Sequence, residues 1–273
     1  MKKKRKNNCG TKWKNEQAMT HDHPKYTEPR LSTKDLALVA VFAPLYTIFC
    51  SWNLFPLIGA SGRAITASAI MAPVIGILLI PYLSVLTVAL GGAVGLSFGY
   101  FSPFGYGAGI AAAFCASALY NREQALATLL YAAFLLMFAL YPTIGPFWLC
   151  PNFLLLQIVA LAVLASPIQS KAISYIRNPN VSSCRLLLGI GMTTFTSTMF
   201  AHVVGSLLFE MISWPLLVSS VEVWRGIWQA IAIAYPFERM AIVIAATVLG
   251  TGLMKSLKKW YKPATLQQQD VSA

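Results

Sequence analysis

His202 and Glu210 stand in "FTSTMFAHVVGSLLFEM" (195–211), an otherwise apolar run. An imidazole and a carboxylate can share a metal or relay a proton. Eight residues are about two helical turns, so the two side chains fall on one face, about 12 Å apart along the axis. That is too far for one metal ion without a bend. Glu210 also lies near the end of its segment, where a carboxylate reaches solvent. His202 has two readings: a group on a substrate path, or an imidazole hydrogen-bonded across a helix interface. Thr198, Ala201, Gly205 and Ser206 lie at helical spacing from it and let another helix approach closely.

Glu238 and Arg239 follow Tyr235-Pro236 at the expected start of the last apolar segment. Neighbours on a helix point about 100° apart, so each needs its own partner. Glu238 suits a helix N-terminus and Arg239 does not. Arg239 therefore calls for Glu210, Glu222 or an anionic ligand. Trp148, Trp214, Trp224 and Trp228 share one expected level. They read either as an interfacial aromatic belt or, with Trp224 and Trp228 four residues apart, as a stacking wall for a planar ligand. Asn53, Arg63 and Asn152 add polar groups on the same side.

Other chemistries find little footing. The five Cys residues are scattered, without a CxxC pair, so neither a disulfide framework nor a zinc site is expected. His21-Asp22-His23 lacks a third ligand at fixed spacing. No phosphate-binding loop, dinucleotide fingerprint or HExxH pattern occurs. The expectation is a protein that is not an enzyme and holds no metal or cofactor.

These residues must be positioned by helices in lipid. Of 273 residues, 57% are hydrophobic and 11% charged, against about 25% charged in a soluble domain. Apolar segments fall at about 36–52, 64–80, 82–100, 107–120, 124–141, 152–167, 186–209 and 237–256, with 227–236 leading into the last. The Gly/Ala-rich 107–120 segment reads as a half-helix or re-entrant piece. The fold expected is all-α: a polytopic transmembrane bundle over 35–258, with six to eight membrane segments. A basic tail (1–34) precedes it and a short tail (259–273) follows. The net charge of +12 is concentrated near the ends, in Lys2, Lys3, Lys4, Arg5 and Lys6 and in Lys255, Lys258, Lys259 and Lys262. Such clusters beside apolar helices favour cytoplasmic termini and anionic lipid over nucleic acid. The basic start leads into polar residues, so no signal peptide is expected. Alternate threading puts Arg122, Lys171, Arg177 and Arg185 inside. It puts loops near 53–63, 101–106, 142–151 and 210–236 outside.

The first segment, "LALVAVFAPLYTIF", carries small positions Ala37, Ala40, Ala43 and Thr47, with Pro44 among them. Such a groove receives another helix, from this bundle or from a partner. This segment, "ASAIMAPVIGILLIPYLSVLTVALGGAVG" and "YPFERMAIVIAATVLGTGLMKSLKK" together resemble, in order, the S component (substrate-binding membrane subunit) of energy-coupling factor transporters. The resemblance implies a helical bundle in the cell membrane that binds a vitamin or similar micronutrient near its outer face. It also implies a transmembrane coupling subunit and cytosolic ATPase subunits in other chains. The small-xxx-small contact implied by that family falls on Ala40 and Pro44. A reading from a different class is an accessory or structural subunit of a larger membrane complex.

Overall fold

Proline and serine punctuate this chain into helices. In a computed structural model, which describes residues 33–60 and 62–257, Pro81, Pro103, Pro146, Pro151 and Pro167 each occupy the first position of a helical element. Proline suits that place, because its fixed φ is helical and its missing N–H is not needed there. The Ser102 hydroxyl accepts a hydrogen bond from the Gly105 N–H, and that of Ser166 from the Ile168 N–H, capping two of these starts.

The elements run in the order α1 (Thr33–Cys50), β1 (Asn53–Pro56), β2 (Ala64–Thr66), α2 (Ser68–Leu78), α3 (Pro81–Ser97), α4 (Pro103–Tyr120), α5 (Gln124–Ala139), α6 (Pro146–Leu149), a 3-10 turn (Pro151–Leu154), α7 (Leu155–Ala165), α8 (Pro167–Arg177), α9 (Ser183–Ser213) and α10 (Val221–Leu257). The protein is an all-α, membrane-embedded protein. Its one sheet among the described residues is the β1–β2 ribbon. Those strands pair antiparallel, Phe55 opposite Ile65 and Pro56 opposite Ala64. Helices α1, α9 and α10 are each long and apolar enough to cross a bilayer. The Pro151–Ala165 stretch and α8 meet at a 64° bend and would make a fourth such span if taken together.

Several expected boundaries shift. The 107–120 segment starts earlier, at Pro103, and is a continuous helix of 18 residues, not a half-helix. The larger correction concerns 210–236, expected as an outer loop. Helix α9 continues to Ser213, and α10 already begins at Val221 and runs 37 residues with Pro236 inside it. A proline is tolerated within a membrane helix because neighbouring groups re-satisfy the freed backbone. Glu238 and Arg239 are therefore mid-helix residues, and the N-terminal dipole has no bearing on either. The basic stretch holding Lys171 and Arg177 is helical as well, as α8. The tails at 1–32 and 258–273, with Cys9, His21-Asp22-His23 and Lys258, lie outside the described residues.

Small residues set how closely the helices pack. A Cβ at Gly76 of α2 would overlap the Ala113 carbonyl of α4, and one at Gly91 of α3 would overlap the Ala43 carbonyl of α1. Lipid provides no hydrophobic force between helices, so van der Waals contact at such approaches holds the bundle together. Residues 71–78 of α2 are all buried, surrounded by protein on every side. Side-chain bonds tie the helix ends. Gln124 Nε2 donates to the carbonyls of Leu164 and Ser166 at 2.6 and 3.0 Å, and Arg177 Nη1 to that of Tyr120 at 2.9 Å. At the other end Trp228 Nε1 donates to the Ile144 carbonyl at 2.7 Å.

Replacing Gly76 with Val is expected to destabilise the bundle by about 1–3 kcal/mol through overpacking. Gly252 of α10 has open space where its Cβ would go, so Gly252→Ala should be neutral or stabilising by up to ~1 kcal/mol. Thermal unfolding of both variants in the same detergent checks the contrast.

Candidate functional site

A cavity of about 120 Å³ lies between α1, the β1–β2 ribbon, α2, α4, α9 and α10. That is room for on the order of ten waters, or one small organic molecule. Thr198, Ala201, His202, Gly205, Ser206 and Phe209 of α9 line one side, spanning about 16 Å of helix. From α10 come Trp228, Ile231, Glu238 and Arg239. Tyr46 faces in from α1, Phe104 and Gly109 from α4, and residues 56–58 and 64–66 of the ribbon cover one end.

Of seven buried side-chain atoms without a hydrogen-bond partner among the described residues, four belong to residues lining this space and three, on Glu210 and Ser213, do not. Among the described residues, Tyr46 Oη, Thr198 Oγ1, His202 Nε2 and Arg239 Nε are buried without a hydrogen-bond partner, and all four residues line the cavity. Helical Ser and Thr elsewhere mostly satisfy themselves, as Thr193, Ser197, Thr247 and Thr251 do by donating to carbonyls four residues back. An unpaired buried polar group costs about 1–3 kcal/mol. Four residues that carry such a group line this one void.

The His202 ring is held by its neighbours. It stacks on Tyr235, with centroids 5.0 Å apart and planes 11° apart, and meets the Phe153 ring edge-on at 5.7 Å. Tyr235 is fixed in turn, its hydroxyl donating to the Phe153 carbonyl at 3.0 Å. A ring clamped on these sides keeps a constant orientation toward the cavity. Arg239 sits at the midpoint of α10, eighteen residues from either end. Thr198 holds the same place in α9. Arg239 makes no ion pair with any described residue, neither with its neighbour Glu238 nor with Glu210 or Glu222. Glu222 pairs instead with Arg225 at 2.9 Å on the surface. A cation within a membrane-crossing helix costs up to about 2.5–3.5 kcal/mol on insertion scales where it lies at the bilayer centre.

Of the residues singled out in the sequence, the cavity brings together His202, Trp228, Glu238 and Arg239. Five others do not line it. Asn53 and Arg63 are exposed, in and beside the ribbon. Trp148 is 58% exposed on α6 and Asn152 is exposed in the 3-10 turn, because that segment turns its Phe153 side inward. Trp224 is fully buried outside the cavity, its Nε1 donating to the Val218 carbonyl at 3.0 Å. Trp224 and Trp228 belong to a core cluster with Phe138, Phe153 and Phe209. They are neither a belt nor a two-ring wall, although Trp228 gives one face to the cavity. The small positions of α1 divide. Ala37, Ala40 and Pro44 are exposed, whereas the backbone of Ala43 packs on α3 and the Thr47 hydroxyl donates to the Gly91 carbonyl at 2.8 Å.

Glu210 does not join His202. Its carboxylate is fully buried away from the cavity lining, and neither oxygen has a hydrogen-bond partner among the described residues. No group of three metal-ligating side chains occurs among those residues.

Residues not singled out for the site include Tyr46, Phe101, Phe104 and Phe209, together with the ribbon. Tyr46 had one available signal, a phenol inside an apolar span. The ribbon had almost none, since "NLFP" and "AIT" are too short to show alternation.

No family model, no curated protein and no solved structure matches this chain.

Replacing Glu210 with Leu removes a buried carboxylate that nothing pairs, and should stabilise the fold by ~1–3 kcal/mol. Thermal unfolding in detergent of Glu210→Leu beside wild type reads this directly; a lower melting temperature would show that Glu210 has a partner in the working protein.

Proposed function

We propose that the chain is the substrate-binding integral membrane subunit of an energy-coupling factor type importer, taking up a vitamin or similar micronutrient. One observation carries this reading. The bundle encloses a cavity whose unpartnered polar groups sit beside aromatic walls, the composition of a small-molecule site. The absence of a phosphate-binding loop fits a division of labour in which ATPase subunits in other chains supply the energy.

The topology proposed has eight membrane segments: α1, α2, α3, α4, α5, the 3-10 turn with α7, α9 and α10. Their alternation leaves both termini in the cytoplasm and keeps the protein in the cell membrane. The bonds linking Tyr120, Gln124, Leu164, Ser166 and Arg177 support one shared end for the α4–α5 and α7–α8 junctions. Arg122 and Lys171 belong to that end, as the positive-inside rule requires. The ribbon-covered end of the cavity is then the outer one. Helix α8 carries exposed Ile168 and Lys171 with buried Ile173 and Ile176, a pattern suited to lying along the inner surface. Ala37, Ala40 and Pro44 face outward on α1 and form the surface for the transmembrane coupling subunit.

Native mass spectrometry of freshly extracted protein is expected to find one small molecule bound per chain. Ala201→Phe, which fills the cavity, should remove it, and Trp148→Ala, outside the cavity, should leave it. Ala40→Trp should reduce co-purification of a membrane partner while leaving the small molecule bound. Protein free of any ligand from several growth media, with a partner held regardless of Ala40, would overturn the reading.

A further inference from the structure

The charges in the cavity narrow what can occupy it. A guanidinium has N–H donors and no acceptor, so its partner must supply lone pairs. Arg239 lines the cavity at the centre of its helix, its Nε is buried without a partner, and no described carboxylate pairs with it. Glu238 lines the same space, yet the turn of the helix directs it about 100° away. The protein thus presents a guanidinium at mid-helix that no carboxylate among the described residues meets within ion-pair distance. Around it stand three further buried groups with free hydrogen-bonding capacity, on Tyr46, Thr198 and His202, each residue more than nine-tenths buried.

We infer that the cavity receives a small organic carboxylate: the carboxylate pairs with the Arg239 guanidinium, and a flat apolar body lies against Phe104, Phe209 and Trp228. This deepens the substrate-binding reading and rests on it. The charge count selects a carboxylate over a phosphate ester. A phosphate monoester brings nearly two negative charges against one for a carboxylate, so it is repelled more strongly by Glu238, and Arg239 is the one Lys or Arg among the described residues lining the cavity. One guanidinium matches one carboxylate in charge and in its planar, two-point geometry. The Tyr46 and Thr198 hydroxyls donate to acceptors on the rest of the ligand, and His202 Nε2 donates or accepts according to its tautomer. Phe104 and Phe209 already meet edge-on at 5.4 Å, so a flat ring extends an existing aromatic contact.

The test uses the full chain in mild detergent at fixed ionic strength. Benzoate, 3-phenylpropanoate and indole-3-acetate are the probes, each beside its amide, with phenyl phosphate as a further arm. Melting temperature is followed as each is titrated. The expected result is that at least one carboxylate raises the melting temperature with an apparent affinity at least tenfold above that of its amide. Arg239→Gln should lose that advantage, and Arg239→Lys should keep the preference for acid over amide at reduced affinity. The acid–amide contrast in the unmodified chain needs no variant, so a poorly folding Arg239→Gln leaves the test intact. Equal responses to acid and amide, no response to any of the three acids, or a stronger response to phenyl phosphate than to benzoate overturns the carboxylate. A neutral or cationic molecule found bound by native mass spectrometry overturns it too, while leaving the cavity as a substrate site. No bound molecule and no response to any probe overturns both.

Discussion

Hydrocarbon offers no hydrogen bonds, and this single constraint orders the whole bundle. Every polar side chain inside it must be satisfied by protein or bear the cost of standing alone. Most are satisfied locally. Thr87, Thr193, Ser197, Thr247 and Thr251 each donate to a carbonyl one turn back on their own helix. Others tie helices together: Ser117 donates to the Leu79 carbonyl at 2.7 Å, and Thr194 and Thr247 meet at 3.1 Å. Against that background the unmet groups stand out: those on Tyr46, Thr198, His202 and Arg239 belong to residues around the cavity, and those on Glu210 and Ser213 lie outside its lining.

The shape of that place follows from packing. Close approaches at Gly76 and Gly91 draw α2 to α4 and α3 to α1. Gly109 lets Tyr46 reach in, since a Cβ there would overlap the phenol oxygen. On the opposite side, bulky rings hold α9 and α10 at the spacing that leaves a void. Phe153 contacts Phe138, His202, Trp228 and Tyr235, so one residue of the 3-10 turn braces both helices. Small residues on one flank and large rings on the other produce a cavity without any special loop beyond the ribbon.

Much of this was written legibly in the chain, and the exceptions have physical reasons. Apolar blocks located most of the longer helices to within a few residues, with α8 and the start of α10 as the exceptions. The scarcity of charge in those blocks made His202, Glu238 and Arg239 conspicuous, and all three line the cavity. The α10 start was misplaced because Pro236 reads as a boundary in water but is tolerated in lipid. That error made 210–236 look like an outer loop and turned the core residue Trp224 into a candidate for the ligand wall. Asn152 was misread for another reason. A short 3-10 turn has a different angular step from an α-helix, and here it buries the neighbouring Phe153 instead. The contributions of Tyr46 and Phe104 arise from contacts between distant segments, which local spacing does not encode.

The midpoint position of Arg239 also bears on how the protein is made. A ribosome emits α10 last among the described helices, and this helix must carry a guanidinium into the membrane. Alone, that step is opposed by the translocon's preference for apolar helices. The Ile242, Val243, Ile244, Val248 and Leu249 side chains that follow offset part of the opposition. Helix α9 has been synthesised by then, and its Thr198 and His202 provide a polar flank against which the cation can settle. A polar flank on α9 therefore favours release of α9 and α10 as a joined hairpin, and the groove between them serves as a berth for the nascent chain.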